Sequence, residues 1–583
     1  LPLIFRPMDP RTAAHVLDRI ADLLELHGEN RFKTNAYRNA ARAVLALDTD
    51  DLSEMYRSGA LAEMKGLGPA TLGVIRELVE TGDSGYYEQL REDTPEGLLE
   101  MLRIPGLGTS KIHQIHGGLG IDTVQELEEA ARDGRLAKLP RFGEKTAEKI
   151  LRGIAYLRET SAFVLYPQAA AEAERLLAGI VKHPDVERAM IAGSVRRKRE
   201  IVRDIDIVAA CVADPATVAA SFARVPGVRD VVGVGSRSVT IRYVDGTSLD
   251  LHCVEPHEFG LALWRATGSV EHEREIRARA ESMGIALDEQ EPHGARGTHV
   301  AMPDEAALYQ ALGLAYIEPE LREGRGEVEA AAEHALPSLV SSRDIRGVLH
   351  CHSQYSDGKA TIGEMAAAAK ERGWRYLGIS DHSQSAFYAG GLSPDAVKAQ
   401  HDEIDRVNEE MDGFRVLKGI EADILPDGRI DYDPELLDTF DYVIASVHSR
   451  FGMDERQMTD RVLRAIEDPH VTILGHPTGR LLLTREPYAI DMNAVLEKAA
   501  ELGVAVELNA DPHRLDLDWR SCRHAKSLGV TIEIGPDAHS THGLDNVEFG
   551  VGIARKGWLE AGDILNTQSA DEVVERAKRR RGR

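Results

Sequence analysis

The sequence predicts a multidomain chain that joins a helical region, an α+β region and an α/β layer or barrel. Three observations predict it. At 583 residues the chain is too long for one hydrophobic core. Helical stretches punctuated by glycine turns fill residues 9–160, and β-branched runs such as DIDIVAACV and SVTIRYV take over from residue 161. From residue 346 onward, short apolar runs (YLGIS, YVIASVH, VTILGH, VAVEL, VTIEIG) alternate with helical segments, the rhythm of a parallel layer or barrel.

Composition narrows the class. Hydrophobic content of 43% and charged content of 28% are ordinary for a soluble protein. No apolar run approaches the ~18 residues that cross a bilayer, and no charged-then-apolar leader opens the chain, so no membrane partner is expected. The seven residues LPLIFRP precede Met8 and are set aside from the fold argument. Cys211, Cys253, Cys351 and Cys522 lack CxxC spacing, which fits a reducing cytoplasm and neither a disulfide scaffold nor a thiolate zinc site. The net charge of −26 counts against nucleic acid. Any DNA contact must therefore come from local patches, backbone amides and metal ions.

The helical region repeats one device. MKGLGPATLGVI (64–75), IPGLGTSKIHQI (104–115) and LPRFGEKTAEKI (139–150) each place a glycine turn before a helical run, with Arg141 replacing the first glycine in the third. Such a turn brings backbone N–H groups and a helix N-terminus to a phosphate without any side-chain charge. A plain helix–helix turn looks much the same, so one copy is weak evidence. Three copies resemble helix-hairpin-helix elements, which makes Gly66, Gly68, Gly106, Gly108 and Gly143 candidate DNA-backbone contacts. The third copy remains open to a purely structural role.

The α+β region carries the most specific stretch, GSVRRKREIVRDIDI (193–207), followed by SLDLHC (248–253). Side chains two apart in a strand share a face, so Asp204 and Asp206 point together, and Asp250 on a neighbouring strand completes a three-carboxylate cluster. Two divalent ions on such a cluster activate a hydroxyl and neutralise a triphosphate leaving group. Gly193 and Ser194, with Arg196 and Arg197 after them, suit phosphate capture. The plainer alternative is an exposed acidic strand after a basic loop.

The α/β region opens with GVLHCHSQYSDG (347–358), after a Pro-containing segment AEHALPSLVSSRD (332–344). An isolated HxH is often only a solvated strand end. Here ISDHS, GIEADI, ASVHS, LGHPT and GPDAHS each put a His, Asp or Glu at the end of an expected strand, where barrel active sites gather. Nine ligands result: His350, His352, Asp357, His382, Glu421, His448, His476, Asp537 and His539. Imidazoles with carboxylate bridges suit zinc or manganese and phosphoester hydrolysis. His401, His470, His513 and His542 fall outside the pattern, and Arg450 and Arg514 lie near ligand loops.

The GS…DxD…D pattern resembles the nucleotidyltransferases, and with the hairpins it resembles family X DNA polymerases. The resemblance implies a DNA-end-binding helical domain over 8–90, fingers over 91–158, a nucleotidyltransferase-type palm over 159–253 and a small thumb over 254–332. It implies Mg or Mn at Asp204, Asp206 and Asp250, deoxynucleoside triphosphates as substrates and gapped or nicked DNA as partner. In RATGSVEHEREIRARA (265–280), Thr267 and Gly268 match a turn at the nucleotide, and Arg277 matches a template contact. Departures are visible. Arg265 and Ala266 stand where sugar-selective members carry Tyr-Phe, and Glu273 stands where an asparagine is usual. Val74 and Ala70 replace the lysines of members with deoxyribose-phosphate lyase activity, and valine has no amine for a Schiff base.

The later series resembles the PHP (polymerase and histidinol phosphatase) domain, a distorted (β/α) barrel, over 346–575. A linker over 333–345 and a solvated basic tail over 576–583 flank it. The resemblance implies up to three Zn or Mn ions. The first is held by His350, His352, Glu421 and Asp537, the second by Glu421, His448 and His476, and the third by Asp357, His382 and His539. The expected activity is short gap filling in DNA repair coupled to a phosphoesterase at DNA 3′ ends, a 3′–5′ exonuclease, in a monomeric cytoplasmic protein. Alternatives are a small-phosphoester or 3′-phosphate phosphatase in the barrel, a nucleotidyltransferase acting on RNA or a small molecule, or a DNA-end scaffold.

Overall fold

The computed structural model describes residues 8, 10–45, 47, 51–225, 228–235, 237–243, 247–287, 292–293 and 303–582. LPLIFRP, Arg583 and part of the expected thumb (288–291 and 294–302) lie outside the described residues. The chain divides into two compact units, Leu1–Ala162 and Phe163–Arg583.

The first unit is helical among its described residues. Pro10–Leu26 presents Leu17, Ile20 and Leu24 to a core shared with Ile75, Leu78, Ile112 and Ile115. The three glycine turns share one backbone path. Gly66 and Gly106 take φ of 102° and 76°, and Arg141 takes 70°, so the third turn keeps the left-handed shape without its glycine. Each turn delivers a helix: Pro69–Thr81, Thr109–Leu119 and Glu144–Thr160, capped by Gly68, Gly108 and Gly143 in extended backbone.

The second unit begins with a five-stranded mixed sheet. Its spatial order is Val186–Ile191, Ile205–Cys211, Ser248–Val254, Ser238–Tyr243, Val228–Val234. Strands Ile205–Cys211 and Ser248–Val254 run parallel, and the other pairings are antiparallel. Alternation covers both faces. Ile207 and Ala209 pack toward helix Tyr166–Ile180, while Val208 and Ala210 pack toward Phe259 and Leu263. Helices Val270–Ser282, Glu305–Ala311 and Glu327–Ala332 then build a smaller core around Trp264, Tyr309 and Leu312.

Seven parallel strands follow in sequence order: Gly347–Val348, Tyr376–Ile379, Arg415–Asp423, Tyr442–Ser446, Ile473–Leu474, Ala505–Asn509 and Ile532–Gly535. Cys351 pairs in parallel with Ala538, which brings the first and last strands together as a barrel. Tyr442 fills the interior, where side chains at Gly378 and Gly419 would collide with its ring.

Two sequence expectations are corrected here. The basic tail over 576–583 is not a solvated end, because its first five residues continue helix Ala570–Arg580, in which Ala577 is buried. Arg580 donates to the carbonyls of Val471, Leu502, Ile466 and Asp468, so its charge closes strand and helix ends. The expected linker also packs. Val340 is buried, and its N–H donates to Leu559 O at 3.0 Å.

Within the second unit the barrel and the mixed sheet are tied by buried charge. Lys556 donates to Glu323, and to Arg197 O at 3.1 Å, while Arg555 donates to Glu320 at 2.7 Å.

Candidate active sites of the palm and the barrel

The three palm carboxylates lie close enough for Asp204 and Asp250 to act on Asp206, but they do not form one of the groups whose oxygens and nitrogens come within reach of a single ion. Asp206 and Asp250 are register partners on the two parallel strands, with Asp204 two residues before Asp206. Burial, with the charges of Asp204 and Asp250 adding to it, pushes the Asp206 carboxyl up to about 7. Thr240 Oγ1 donates to Asp250 at 2.5 Å and holds its rotamer. Gly193 sits against Asp206 at φ 59°, where any Cβ would strike the carboxylate. Beside it Ser194 Oγ is buried and has no hydrogen-bond partner among the described residues.

The arginines are less open than the sequence suggested. Arg197 donates to Thr267 O at 2.7 Å and to Glu323 at 3.0 Å, and Arg196 donates to Thr267 Oγ1 at 2.7 Å and to Glu305. The expected nucleotide residues Gly193, Ser194, Arg197, Thr267 and Gly268 thus share one neighbourhood, but Arg197 is committed to the turn it helps to shape. Arg277, expected at the template, is held by Glu273 at 2.6 Å and by Leu287 O at 2.7 Å.

In the barrel all nine predicted ligands converge at the C-terminal ends of the strands. Glu421 is central. Its oxygens lie 2.8 Å from His382, 2.9 Å from His476, 3.2 Å from His448, 3.4 Å from His350 and 3.8 Å from His352. Asp537 lies 3.3 Å from His352 and 3.6 Å from His350, and Asp357 lies 3.3 Å from His539 and 3.7 Å from His382. Three groupings bring ligand atoms within reach of one ion: His350–His352–Asp537, His382–Glu421–His448, and His352–Asp357–His382–His539. The partition differs from the expected one at four residues. His352 and His382 each stand in two groups, Glu421 joins His382 and His448 but not the His350 group, and His476 bonds Glu421 and joins none of the three.

Opposed charges set the protonation of the metal-free cluster. Burial alone would lower His448, but Glu421 and Asp423 outweigh it and raise the imidazole to about 10. Burial and the neighbouring imidazoles of His539 and His382 push His352 down to about 3. Burial and Arg514 hold His476 at about 4.

Residues missed at the sequence level orient these imidazoles. Glu507 accepts from His350 Nδ1 at 2.5 Å, and Asp423 accepts from His448 Nδ1 at 2.6 Å, turning each Nε2 inward. The available signals were a lone carboxylate inside the apolar run VAVELN and an Asp two residues beyond Glu421, on the same strand face. Asn509 donates to Asp537 at 3.0 Å, and Arg514 lies 3.5 Å from the same carboxylate. Arg450 is exposed.

The donor set fits metal. His350 Nε2, both nitrogens of His352 and His476 Nδ1 are buried without a hydrogen-bond partner among the described residues, and His382 Nδ1 and Glu421 Oε2 have only each other, at 2.8 Å. Leaving so many polar atoms unpaired is costly unless something binds them. With nitrogen and oxygen donors and no thiolate, the cluster offers the ligand set that a metal ion would take.

Four family models match the chain: a helix-hairpin-helix domain over residues 8–84, a SAM-like helix-hairpin-helix tandem over 98–155, the DNA polymerase beta thumb over 262–323 and the PHP domain over 349–510. Over 575 residues the chain is 37% identical to the "DNA polymerase/3'-5' exonuclease PolX" of Bacillus subtilis (strain 168), covering 98% of this chain and 100% of that protein. The chain belongs to the family X DNA polymerases that carry a PHP domain. A stretch of 258 residues is 29% identical to a "Probable phosphatase" of Caldanaerobacter subterraneus subsp. tengcongensis, spanning 41% of this chain and 94% of that protein. Another of 215 residues is 31% identical to a "Probable phosphatase" of Shewanella sp. (strain ANA-3), spanning 35% and 80%.

Within the family, this chain's departures have structural consequences. Val74 is buried in the core of the first unit, so that position offers neither an amine nor access. Arg265 lies 3.9 Å from Glu273, which also holds Arg277. One carboxylate therefore gathers both arginines.

Proposed function

We propose that this chain is a DNA-directed DNA polymerase for short gaps whose barrel removes nucleotides from DNA 3′ ends. The observation that carries it is the coexistence, in one chain, of a three-carboxylate sheet site and an imidazole-rich barrel site. Proposed domains are a DNA-end-binding region over 8–90, fingers over 91–158, palm over 159–253, thumb over 254–332 and a PHP barrel over 346–575, working as a monomer.

In the palm, Asp204, Asp206 and Asp250 would hold Mg or Mn, which supplies charge neutralisation of the triphosphate and acidifies the primer hydroxyl. The Gly193–Ser194 turn receives the triphosphate of a deoxynucleotide through backbone N–H groups and the unpaired Ser194 hydroxyl. Thr267 and Gly268 border the nucleotide, and Arg197 braces that turn through Thr267. Gly66, Gly68, Gly106, Gly108 and Gly143 hold the DNA backbone by helix N-termini, and Arg277 reaches template once Glu273 releases it. In the barrel, His350, His352, Asp357, His382, Glu421, His448, His476, Asp537 and His539 would hold up to three Zn or Mn ions, which polarise a phosphodiester and supply a hydroxide at neutral pH. Glu507 and Asp423 keep His350 and His448 in the tautomer that presents Nε2.

A second reading makes the barrel a phosphatase for small phosphoesters or 3′-phosphates, and the names of the shorter relatives favour it. The deciding experiment runs a labelled primer on gapped DNA with Mg or Mn, with and without deoxynucleoside triphosphates. Template-dependent extension with triphosphates and stepwise shortening without them is the expected result. Absence of shortening alongside release of phosphate from small esters would favour the phosphatase.

A further inference from the structure

Exposed aromatic rings are rare here, since Phe, Trp and Tyr make up 5% of the chain. Two of those that stand out in solvent are adjacent: Phe387 is 85% exposed and Tyr388 62%. One isolated exposed ring would need no explanation. This pair is different because of what holds it and what it borders.

The pair sits on a short turn, Phe387–Ala389, that follows the ligand His382. The turn is firmly built. Ala386 and Ala389 on either side are buried, and the hydroxyl and N–H of Ser385 both donate to Asp431, at 2.7 and 2.8 Å. Ser383 N–H donates to Glu421 O at 3.0 Å, and Leu392 N–H donates to His382 O at 2.9 Å. Gly391 packs so closely on Ser383 that a Cβ would overlap its carbonyl oxygen. The rings are thus held outward by an anchored frame. Tyr388 borders the metal cluster, its ring centroid 6.3 Å from His382 and 6.4 Å from His448. Phe387 stands edge-on to Tyr388 at 6.2 Å, one ring further from the cluster.

A phosphodiester at the cluster has its sugar and base one step away, at the distance where these rings begin. Every base offers a flat apolar face, and stacking on an aromatic side chain binds it without reading sequence. A small sugar phosphate offers no such face. We propose that Phe387 and Tyr388 are the stacking platform for the base of the 3′-terminal nucleotide of a single strand, making the barrel site selective for nucleic-acid ends. This inference rests on the exonuclease reading above and deepens it by naming the group that the site recognises.

The test uses the full-length, metal-loaded protein and two single-stranded oligonucleotides that differ only at the 3′ terminus. One ends in a normal nucleotide, the other in an abasic tetrahydrofuran residue. The wild type should remove the normal terminus with a kcat/KM about ten- to a hundredfold higher. Phe387→Ala and Tyr388→Ala should each pull that ratio toward one, and Phe387→Trp should restore it. A binding readout accompanies the rates: 2-aminopurine at the 3′ terminus should be quenched by metal-stripped wild type and less so by Phe387→Ala. An unchanged ratio in both alanine variants overturns the inference, as does an equal fall on both oligonucleotides, which marks a structural role. A wild type that shortens both termini equally also overturns it and leaves the exonuclease reading standing. A wild type that shortens neither, yet releases phosphate from a small ester, overturns both.

Discussion

The palm and the barrel both gather acidic side chains at the ends of parallel strands, yet they prepare for metal in different ways. The palm offers three carboxylates on a mixed sheet, with Asp206 raised to about 7 because burial and the charges of Asp204 and Asp250 outweigh those of Arg197 and Arg203. The barrel offers imidazoles as well as carboxylates, His350, His352, His382, His476 and Glu421 among them buried and Asp357 exposed, and fixes two of the imidazoles from behind through Glu507 and Asp423. A site of oxygen ligands suits ions that come and go with the substrate, and a nitrogen-rich site suits ions that stay. The difference teaches that the two sites are told apart by donor type more than by burial, since Asp206 is itself shifted by burial.

The widest gap between the two regions should appear on metal removal. After chelation and transfer to buffer containing only Mg, primer extension should return at once, whereas 3′-end degradation should stay at least about a hundredfold down until Zn or Mn is supplied. Parallel recovery of both activities with Mg would erase the distinction. A smaller effect should follow Glu507→Gln. The amide still fits beside His350 but orients it less strongly, so barrel metal affinity should fall about tenfold, read by competition with a chromogenic chelator, while extension is spared.

Next in size is a pH effect confined to the palm. Asp206 has its folded pKa raised above the ordinary carboxylate value, so its contribution to stability is fully present below about 4 and is lost as pH rises through about 7. His352 and His476, lowered to about 3 and 4, act with the opposite sign over this window, so the group is isolated by difference: wild type should lose stability relative to Asp206→Asn between these values in metal-free protein. Metal binding needs the ionised form, so the Mg requirement for extension should rise up to about tenfold per unit of pH below 7. The smallest effect tests the link between the regions. Lys556→Met removes the buried ammonium shared by Glu323 and the Arg197 carbonyl. It should raise KM for the nucleotide severalfold with little change in degradation, and Lys556→Arg should restore part of it.

Much of both sites was legible because strand periodicity and strand ends are local signals. Asp204, Asp206 and Asp250 follow from alternation, and the nine barrel ligands follow from the rhythm of apolar runs ending in His, Asp or Glu. What was not legible depends on distance in the chain. Arg196 and Arg197 are held by Glu305 and Glu323, more than a hundred residues later, and no spacing rule connects them. Glu507 reads in the sequence as an oddity in an apolar strand and acquires meaning only when His350 comes beside it. The basic tail misled because a run of like charge usually marks a solvated end. Here Arg580 instead serves the unpaired carbonyls at one end of the barrel. Arg141 shows the reverse case, where a missing glycine did not change the turn.

The central claim is that one chain holds two independent catalytic sites, and separation-of-function variants test it most directly. Asp204→Ala with Asp206→Ala, and His350→Ala with His352→Ala, would be assayed on the same labelled gapped DNA for extension and for 3′ shortening. The account predicts that the first pair loses extension by about a thousandfold or more and keeps shortening near the wild-type rate, while the second pair does the opposite. Loss of both activities in either folded variant, shown by an unchanged denaturation midpoint, would contradict it.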